Sequence, residues 1–558
     1  MKFPYYVKTI LLFTILSIFF SSSNIISDDL KTISRPYDFC LLNGESLNNF
    51  SNKNIPIDQL YLYSFNSVEN QWRQIPFQID ELYLNLSGSD TTTSYFPEDT
   101  TLTLLKEPDN IFNDWDELVF MIKDAGDKAD TDNWIDDPVA QQYPRYQITV
   151  SDAINGMTKG WIYLFRSTNV LTKSPGYIDY NATQDRIISN FYEIGYDGQT
   201  FPKDFVITSA GSGNGQDILD RNRFRLFLRP FGFEAEITDN DIIQDTVRYE
   251  NPIKIIKGPI RVIRKIHSVA SLMGAEIYQL PFTTWYYPYF YRFSKQFPFD
   301  EILKFELFRF SFNLNENAKG MKFYSGDSTK LYTNLDILID GSGGNDSIVD
   351  SLSRNKPFWT MATGDPGTML TMNKIKYFGD ENYSWRLYYA DSTEGDDISI
   401  GDHGIIFTSS SLNVGLHTQN RIYFLKKNFP ADSAWIIFDN FNNPISSIRS
   451  FQEITSVKEI SNSIIPNKFK LYRNYPNPFN PTTNINFDLT KASEVTIAIY
   501  NLRGQKVRTL VDGLKEAGSH SIQFDATDDK RNKLPTSIYL YMFRTNEFQE
   551  IRKLTLMK

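Results

Sequence analysis

Segments that read as β-strands, separated by turn clusters and joined by few convincing helices, limit what this chain can become. YQITVSDA (146–153), GWIYLFRS (160–167), PIRVIRKIHSVASL (259–272), EIYQLPF (276–282), ILKFELFRFSFNL (302–314), RIYFLKKN (421–428) and AWIIFDNF (434–441) are rich in β-branched and aromatic residues with partial period-2 alternation. SAGSGNGQD (209–217) and DGSGGNDS (340–347) lie between them and read as turns. Doubly wound α/β architectures need a helix between successive parallel strands, so that pattern disfavours them. The 43 Phe, 32 Tyr and 8 Trp agree, because such rings favour pleated, half-buried surfaces. The expected class is all-β: a large antiparallel sandwich-type body followed by a small C-terminal Ig-like sandwich.

A chain of 558 residues exceeds what one core supports, so more than one domain is expected. Residues 1–23 hold Lys2 and Lys8, an apolar run from Ile10 to Phe20 and then small residues, the layout of a secretory signal. No later stretch is apolar enough for a membrane helix, so the mature chain is expected to have no transmembrane segment. Cys40 is the only cysteine, which rules out an intramolecular disulfide. The expected division is a β-rich module over 36–170, a larger antiparallel domain over 175–455, a polar linker at 456–468 and a terminal domain over 469–558. Residues 24–466 carry 40 basic against 58 acidic side chains, whereas 467–558 carry 15 against 9. Nucleic acid rewards clustered Lys and Arg, so an acidic body argues against it as a partner.

The terminal segment has more to say. NYPNPFNPTT (474–483) sets Pro476, Pro478 and Pro481 around Asn477, Phe479 and Asn480, and proline, which cannot donate to a ladder, marks an extended edge. TNINFDL, EVTIAIYN, KVRTLV, SHSIQFDA, SIYLYMFR and EIRKLTLMK follow as six short alternating strands. The proline motif, then IYNLRGQKV with Gly504, EAGSHSIQFDA with Gly518 and LPTSIYLY with Tyr539, resemble the C-terminal sorting domain of the type IX secretion system. One departure is Thr536-Ser537 before Ile538, where that family usually has Ser-Gly. The resemblance implies passage across the inner membrane on the signal, recognition of residues 469–558 by the type IX machinery at the outer membrane, and a secreted or cell-surface destination.

For the body the residues offer candidates. DSTEGDDISIGDHGIIF (391–407) gathers Asp396, Asp397, Asp402 and His403 among glycines suited to a tight loop. A histidine beside carboxylates can serve as general acid or base, and paired carboxylates suit glycoside cleavage. TTWYYPYFYRF (283–293) offers Trp285, Tyr287, Tyr289 and Tyr291, rings that would stack on sugar faces if exposed. Asp127, Asp130 and Asp132 could supply hard oxygen ligands for calcium. The chain lacks a Gly-x-Ser-x-Gly elbow, His-Glu-x-x-His and a Cys cluster, which argues against serine hydrolases, common zinc proteases and redox proteins. These features suit a noncatalytic protein that binds glycans or surfaces. Two alternatives are a carbohydrate-active enzyme, lyase or hydrolase, and a purely structural surface protein.

Overall fold

The computed structural model describes residues 29–556 apart from 88–89, 98–102, 154–157, 229–233, 273, 299–304, 328–336, 344–356, 380–382, 394–397, 410–413, 454–468, 473, 475–476, 478, 480 and 516. The expected signal (1–23), the linker (456–468), Asp396, Asp397, Pro476, Pro478 and Asn480 lie outside them. The chain divides into two compact units, Met1–Thr455 and Ser456–Lys558.

The body is organised around a nine-stranded antiparallel sheet. Its central strands are Phe282–Tyr287, Phe290–Pro298, Val414–Leu425, Gly367–Gly379 and Phe358–Gly364, in that spatial order. Apolar runs such as IYFL (422–425) are continuous because both faces are covered. On one face Tyr286, Tyr291, Met369, Ile422 and Phe424 pack against Phe308, Phe312, Leu387, Ile405 and Phe407 of a five-stranded sheet. On the other, Tyr287, Phe290, Leu370, Met372 and Tyr423 meet Val119, Met121 and Phe39 and the helix Ala431–Asn442.

That helix corrects the strand expected over 434–441. Ala434, Ile437 and Phe438 are buried while Trp435 and Ile436 are exposed, a spacing of three and four that only a helix presents to one side. The long segment at 259–272 also differs from expectation, forming two strands, Val262–Ile266 and Ser268–Leu272, in separate sheets.

Before residue 170 a smaller sandwich forms. Its three-stranded sheet (Phe39–Asn43, Glu117–Met121, Phe77–Asp80) and its five-stranded sheet enclose Leu42, Leu62, Leu118, Phe120, Ile148, Ile162 and Leu164. The edge strand of the larger sheet is Ser446–Gln452, paired along its length with Arg145–Ser151. The chain therefore returns to its N-terminal sandwich after completing the central sheet. A buried ion network crosses the same region. Arg261, fully buried, donates from Nε to Asp80 at 2.8 Å and from Nη2 to Glu117 at 2.5 Å, while its backbone N–H donates to Gln78 Oε1 at 2.9 Å.

The C-terminal unit is a sandwich of a three- and a four-stranded sheet, closed over Phe487, Val495, Ile497, Phe524, Tyr541 and Phe543. All six expected strands are present, from Thr483–Leu489 to Gln549–Leu556. The proline-rich lead runs beside the last strand: Phe479 bridges Leu556 in parallel, and Asn477 accepts from Thr555 N–H at 2.8 Å.

Replacing Arg261 by Ala would leave Asp80 and Glu117 buried without their cation. Breaking one partner of a buried pair costs about 3–5 kcal/mol. Urea unfolding of the R261A body is expected to show a loss of that size, and a loss below about 1 kcal/mol would show that the network contributes little.

Candidate functional site

Register assembles a site on the nine-stranded sheet. Cross-strand neighbours stand about 5 Å apart on one face, so paired residues form rows. Tyr287, Phe290, Tyr423 and Leu370 make an apolar row beneath the N-terminal sandwich and the helix. Two residues further along the strands, Trp285, Arg292, Arg421 and Met372 form the next row. Beyond it come Ser294, Gln419 and Lys374. The cover ends between these rows, leaving a cleft of about 390 Å³ lined by Trp285, Arg292, Ser294, Lys374, Gln419, Arg421 and other residues.

Three cations line this cleft, and none of its described lining residues is a carboxylate. Arg292 lies over the rings of Trp285 (5.1 Å) and Phe39 (5.3 Å), and Arg421 over Phe441 (5.1 Å) and Phe290 (5.3 Å). Ring faces carry negative quadrupoles, which lets two guanidinium groups stand on adjacent strands. Asp38 Oδ1 at 3.5 Å offsets part of the charge of Arg421. Burial pulls the Arg421 pKa down, but Tyr423 and Asp38 outweigh it and hold the group above its usual range. Trp285 Nε1 and Arg292 Nε are buried donors with no hydrogen-bond partner among the described residues. His417 stands on the same side of its strand as Gln419 and Arg421, with Nε2 2.7 Å from Ser294 Oγ. The arrangement offers cationic donors, two apolar rings, neutral amides and one imidazole within a fixed sheet.

The expected aromatic platform is mostly interior. Tyr287 and Tyr291 are buried on opposite faces of the sheet, and Tyr289 is held between Tyr37 at 5.2 Å and Phe191 at 4.2 Å. Only Trp285 among the four lines the cleft.

The expected loop at 391–407 is largely a strand pair, Tyr383–Ser392 and Ser399–Ser409. His403 and Asp402 are adjacent on a strand, so they point to opposite faces and do not converge. His403 is fully buried beside Phe323 (5.3 Å) and Phe312 (6.1 Å), inside the sandwich. Its Nδ1–H donates to Gly401 O at 2.7 Å, and burial lowers its pKa, so the ring is neutral. Asp402, also buried, accepts from Arg223 Nη1 at 3.0 Å. Solvent does not reach either group.

The aspartates proposed for calcium are also dispersed. Asp127 accepts from Lys31 N–H at 2.8 Å, Ser67 N–H at 2.9 Å and Ser67 Oγ at 2.7 Å. Asp130 and Asp132 are exposed. Among the described residues no three His, Cys, Asp or Glu side chains form a group that could hold a metal ion, and no helix is long and apolar enough to cross a membrane. In the tail, Gly504 and Gly518 adopt positive φ (76° and 134°), which favours glycine, Pro481 is exposed, and buried Tyr539 donates to Pro535 O at 2.8 Å.

The architecture is that of a β-sandwich protein ending in an Ig-like domain, and residues 475–542 match the FlgD Ig-like domain. No curated protein matches the chain. Among solved structures, an α-mannosidase from Enterococcus faecalis is similar at 7% identity and a TM-score of 0.38, over 89% of this chain and 55% of the mannosidase. A polysaccharide lyase is similar at 8% identity and a TM-score of 0.19, over 69% of this chain and 46% of the lyase. PorZ, a surface component of the type IX secretion system of Porphyromonas gingivalis, is similar at 9% identity and a TM-score of 0.13, over 71% of this chain and 62% of PorZ. This chain thus spans about half the length of the first two.

The two histidines should respond differently to truncation. His403→Ala opens a cavity in the sandwich and is expected to cost about 2–5 kcal/mol, whereas H417A, half-buried beside the cleft-lining Ser294, should melt as the parent does. His403 also makes the fold acid-sensitive, because below about pH 6.5 the unfolded state takes up a proton that the buried ring resists. Stability should therefore fall as pH drops through 6.5, and H403L should reduce that slope. Equal acid slopes for parent and H403L would show that His403 titrates normally.

Proposed function

We propose that this protein is an exported surface or extracellular protein whose body binds an acidic glycan in the Arg292–Arg421–Lys374 cleft. The row that sets Trp285 beside Arg292 and Arg421, with unpartnered buried donors at Trp285 Nε1 and Arg292 Nε, supports this most directly. A uronic-acid unit presents a carboxylate, hydroxyls and an apolar ring face. Cations, amides and aromatic rings answer each of these in turn. The body as a whole is acidic, so a densely charged polymer would be repelled at long range, and a glycan with spaced carboxylates suits it better.

One observation keeps the enzyme reading open. Ser294 and His417 meet at 2.7 Å beside the cations, where an imidazole could move a proton on a bound glycan.

The tail has its own role in this proposal. Residues 469–558 act as the address that the type IX machinery reads, after the signal at 1–23 has taken the chain across the inner membrane. The ordered motifs from Pro476 to Tyr539 support this.

Purified residues 24–455 should bind polyuronates in preference to neutral polysaccharides. R292A or K374A should weaken that binding by roughly ten- to a hundredfold, the scale of charged hydrogen bonds worth about 1.5–3 kcal/mol. Equal binding to neutral and acidic glycans would end the cleft proposal. Release of reducing ends or unsaturated products, lost in H417A, would favour the enzyme over the binder.

In a host with type IX machinery, the chain cut after residue 455 should collect in the periplasm. A signal peptide and residues 456–558 fused to an inert reporter should carry the reporter outside. Truncated protein found outside the cell would defeat the sorting role.

A further inference from the structure

A second cavity opens at one end of the five-stranded sheet, and none of its lining residues belongs to the cleft described above. It measures about 370 Å³, within the range of small-molecule sites, and lies between the segment 197–202, the strand residues Arg221 and Asn222, and the segment 239–244.

Asn222 is the unusual member. In the strand Leu219–Leu228 it shares the face of Phe224 and Leu226, which point into the core, and it pairs with Phe312. Alternation calls for an apolar side chain there. Asn222 is instead an amide, 2% exposed, and neither Oδ1 nor Nδ2 has a hydrogen-bond partner among the described residues. Buried amides almost always pair, because an orphaned donor or acceptor bears its full desolvation penalty. Asn222 lines the cavity, so a partner for its amide would have to come from that side.

Three further features describe what would fit. The Phe201 ring, packed at 6.2 Å against Phe224 and edge-on to Phe282, supplies an apolar wall. Of the lining charges, Asp197 is paired with Lys203 at 2.6 Å, Arg221 with Asp220 at 3.2 Å, and Asp239 accepts from the backbone N–H of Phe224 at 3.4 Å. The amide presents one donor and one acceptor side by side. Two neighbouring hydroxyls, each able to donate and accept, meet that pair, and a carbon ring face meets Phe201.

We propose that this cavity is a binding site for a neutral sugar unit, with Asn222 bridging two adjacent hydroxyls and the Phe201 ring against the sugar's carbon face. It is independent of the acidic-glycan cleft, and together they would let the body hold a polymer with both neutral and acidic units.

The test uses the full chain with glucose, galactose, mannose and N-acetylglucosamine as probes and glucuronate as the charged control, read by saturation-transfer NMR and thermal shift. At least one neutral sugar should bind saturably and raise the melting temperature, and glucuronate should bind no better. N222A and F201A should each weaken that binding at least tenfold, whereas R292A should leave it unchanged. N222A without sugar should melt at or above the parent temperature, since it removes an orphaned amide. F201A changes a partly buried ring and keeps the test decisive if N222A does not fold. If no neutral sugar binds saturably, or both variants bind as the parent does, the cavity holds water only and the proposal fails.

Discussion

Arg261 joins two parts of the body that their sequence patterns keep separate. Its guanidinium lies between Asp80 and Glu117 of the N-terminal sandwich, and it stands one strand away from Tyr287 on the nine-stranded sheet. Tyr287 OH, 3.2 Å from Nη1, draws the apolar row into the same network. Charges this deep tolerate little displacement, because any unpaired member would face a low-dielectric interior. The network therefore fixes how far the N-terminal sandwich covers the sheet. Phe39, stacked on Tyr287 at 4.3 Å, is at the edge of that cover, and Arg292 and Arg421 lie against the Phe39 ring. The open cleft begins where the cover stops.

The cleft also shows what a sheet buried on both faces can do that a one-faced sheet cannot. Strands that are apolar on both sides are rigid and precisely registered only if a slip is costly, since a one-residue shift sends every side chain to the other face. Here a slip would bring Arg292 and Arg421 into the sandwich core and push Tyr291 and Ile422 out. The same packing that holds the core thus holds the two guanidinium groups side by side. Two cations kept together by the backbone, with rings beneath them and an orphaned donor beside them, need no rearrangement of the strands to stay side by side.

Much of the architecture was readable from local pattern. The six strands of the tail alternate cleanly because one face of each sheet is wet, and the alternation marks them directly. The helix Ala431–Asn442 was hidden because its core-facing Ala434, Ile437 and Phe438 are interrupted by Trp435 and Ile436, which turn a helical stripe into an apparent apolar run. Acidic neighbours in sequence give His403 the look of an acid–base site, yet on a strand adjacent residues face apart, so proximity along the chain does not bring Asp402 to its ring. The true cleft residues come from 285–294, 374 and 417–421, and only hydrogen-bond register brings them together. The one legible signal was charge in the wrong place: Arg292 and Arg421 interrupt strands that are otherwise aromatic and aliphatic, and a cation in such a strand needs a reason. Trp285 belongs to the run of rings at 285–291, and its position two residues before the buried Tyr287 leaves it at the edge of the cover.

The lone cysteine completes the picture of how such a body stands without disulfides. Cys40 is 3% exposed within the N-terminal core, and burial pushes its thiol up to about 12, so almost no thiolate is present to exchange with other thiols. What crosslinks would supply elsewhere is distributed here over buried ion pairs that join distant parts of the chain. Arg35 pairs with Asp38 and Asp152 and donates to the carbonyls of Asn440 and Asn443, at the end of the core-facing helix. Arg264 binds Asp185, and Arg145 reaches Gln452 on the returning strand. All but the Arg35–Asp38 pair span tens to hundreds of residues, so they form only once distant parts of the chain have come together. Removal of any one cation would strip buried or half-buried partners of a charge-assisted contact, which makes the body cooperative by electrostatics as well as by packing.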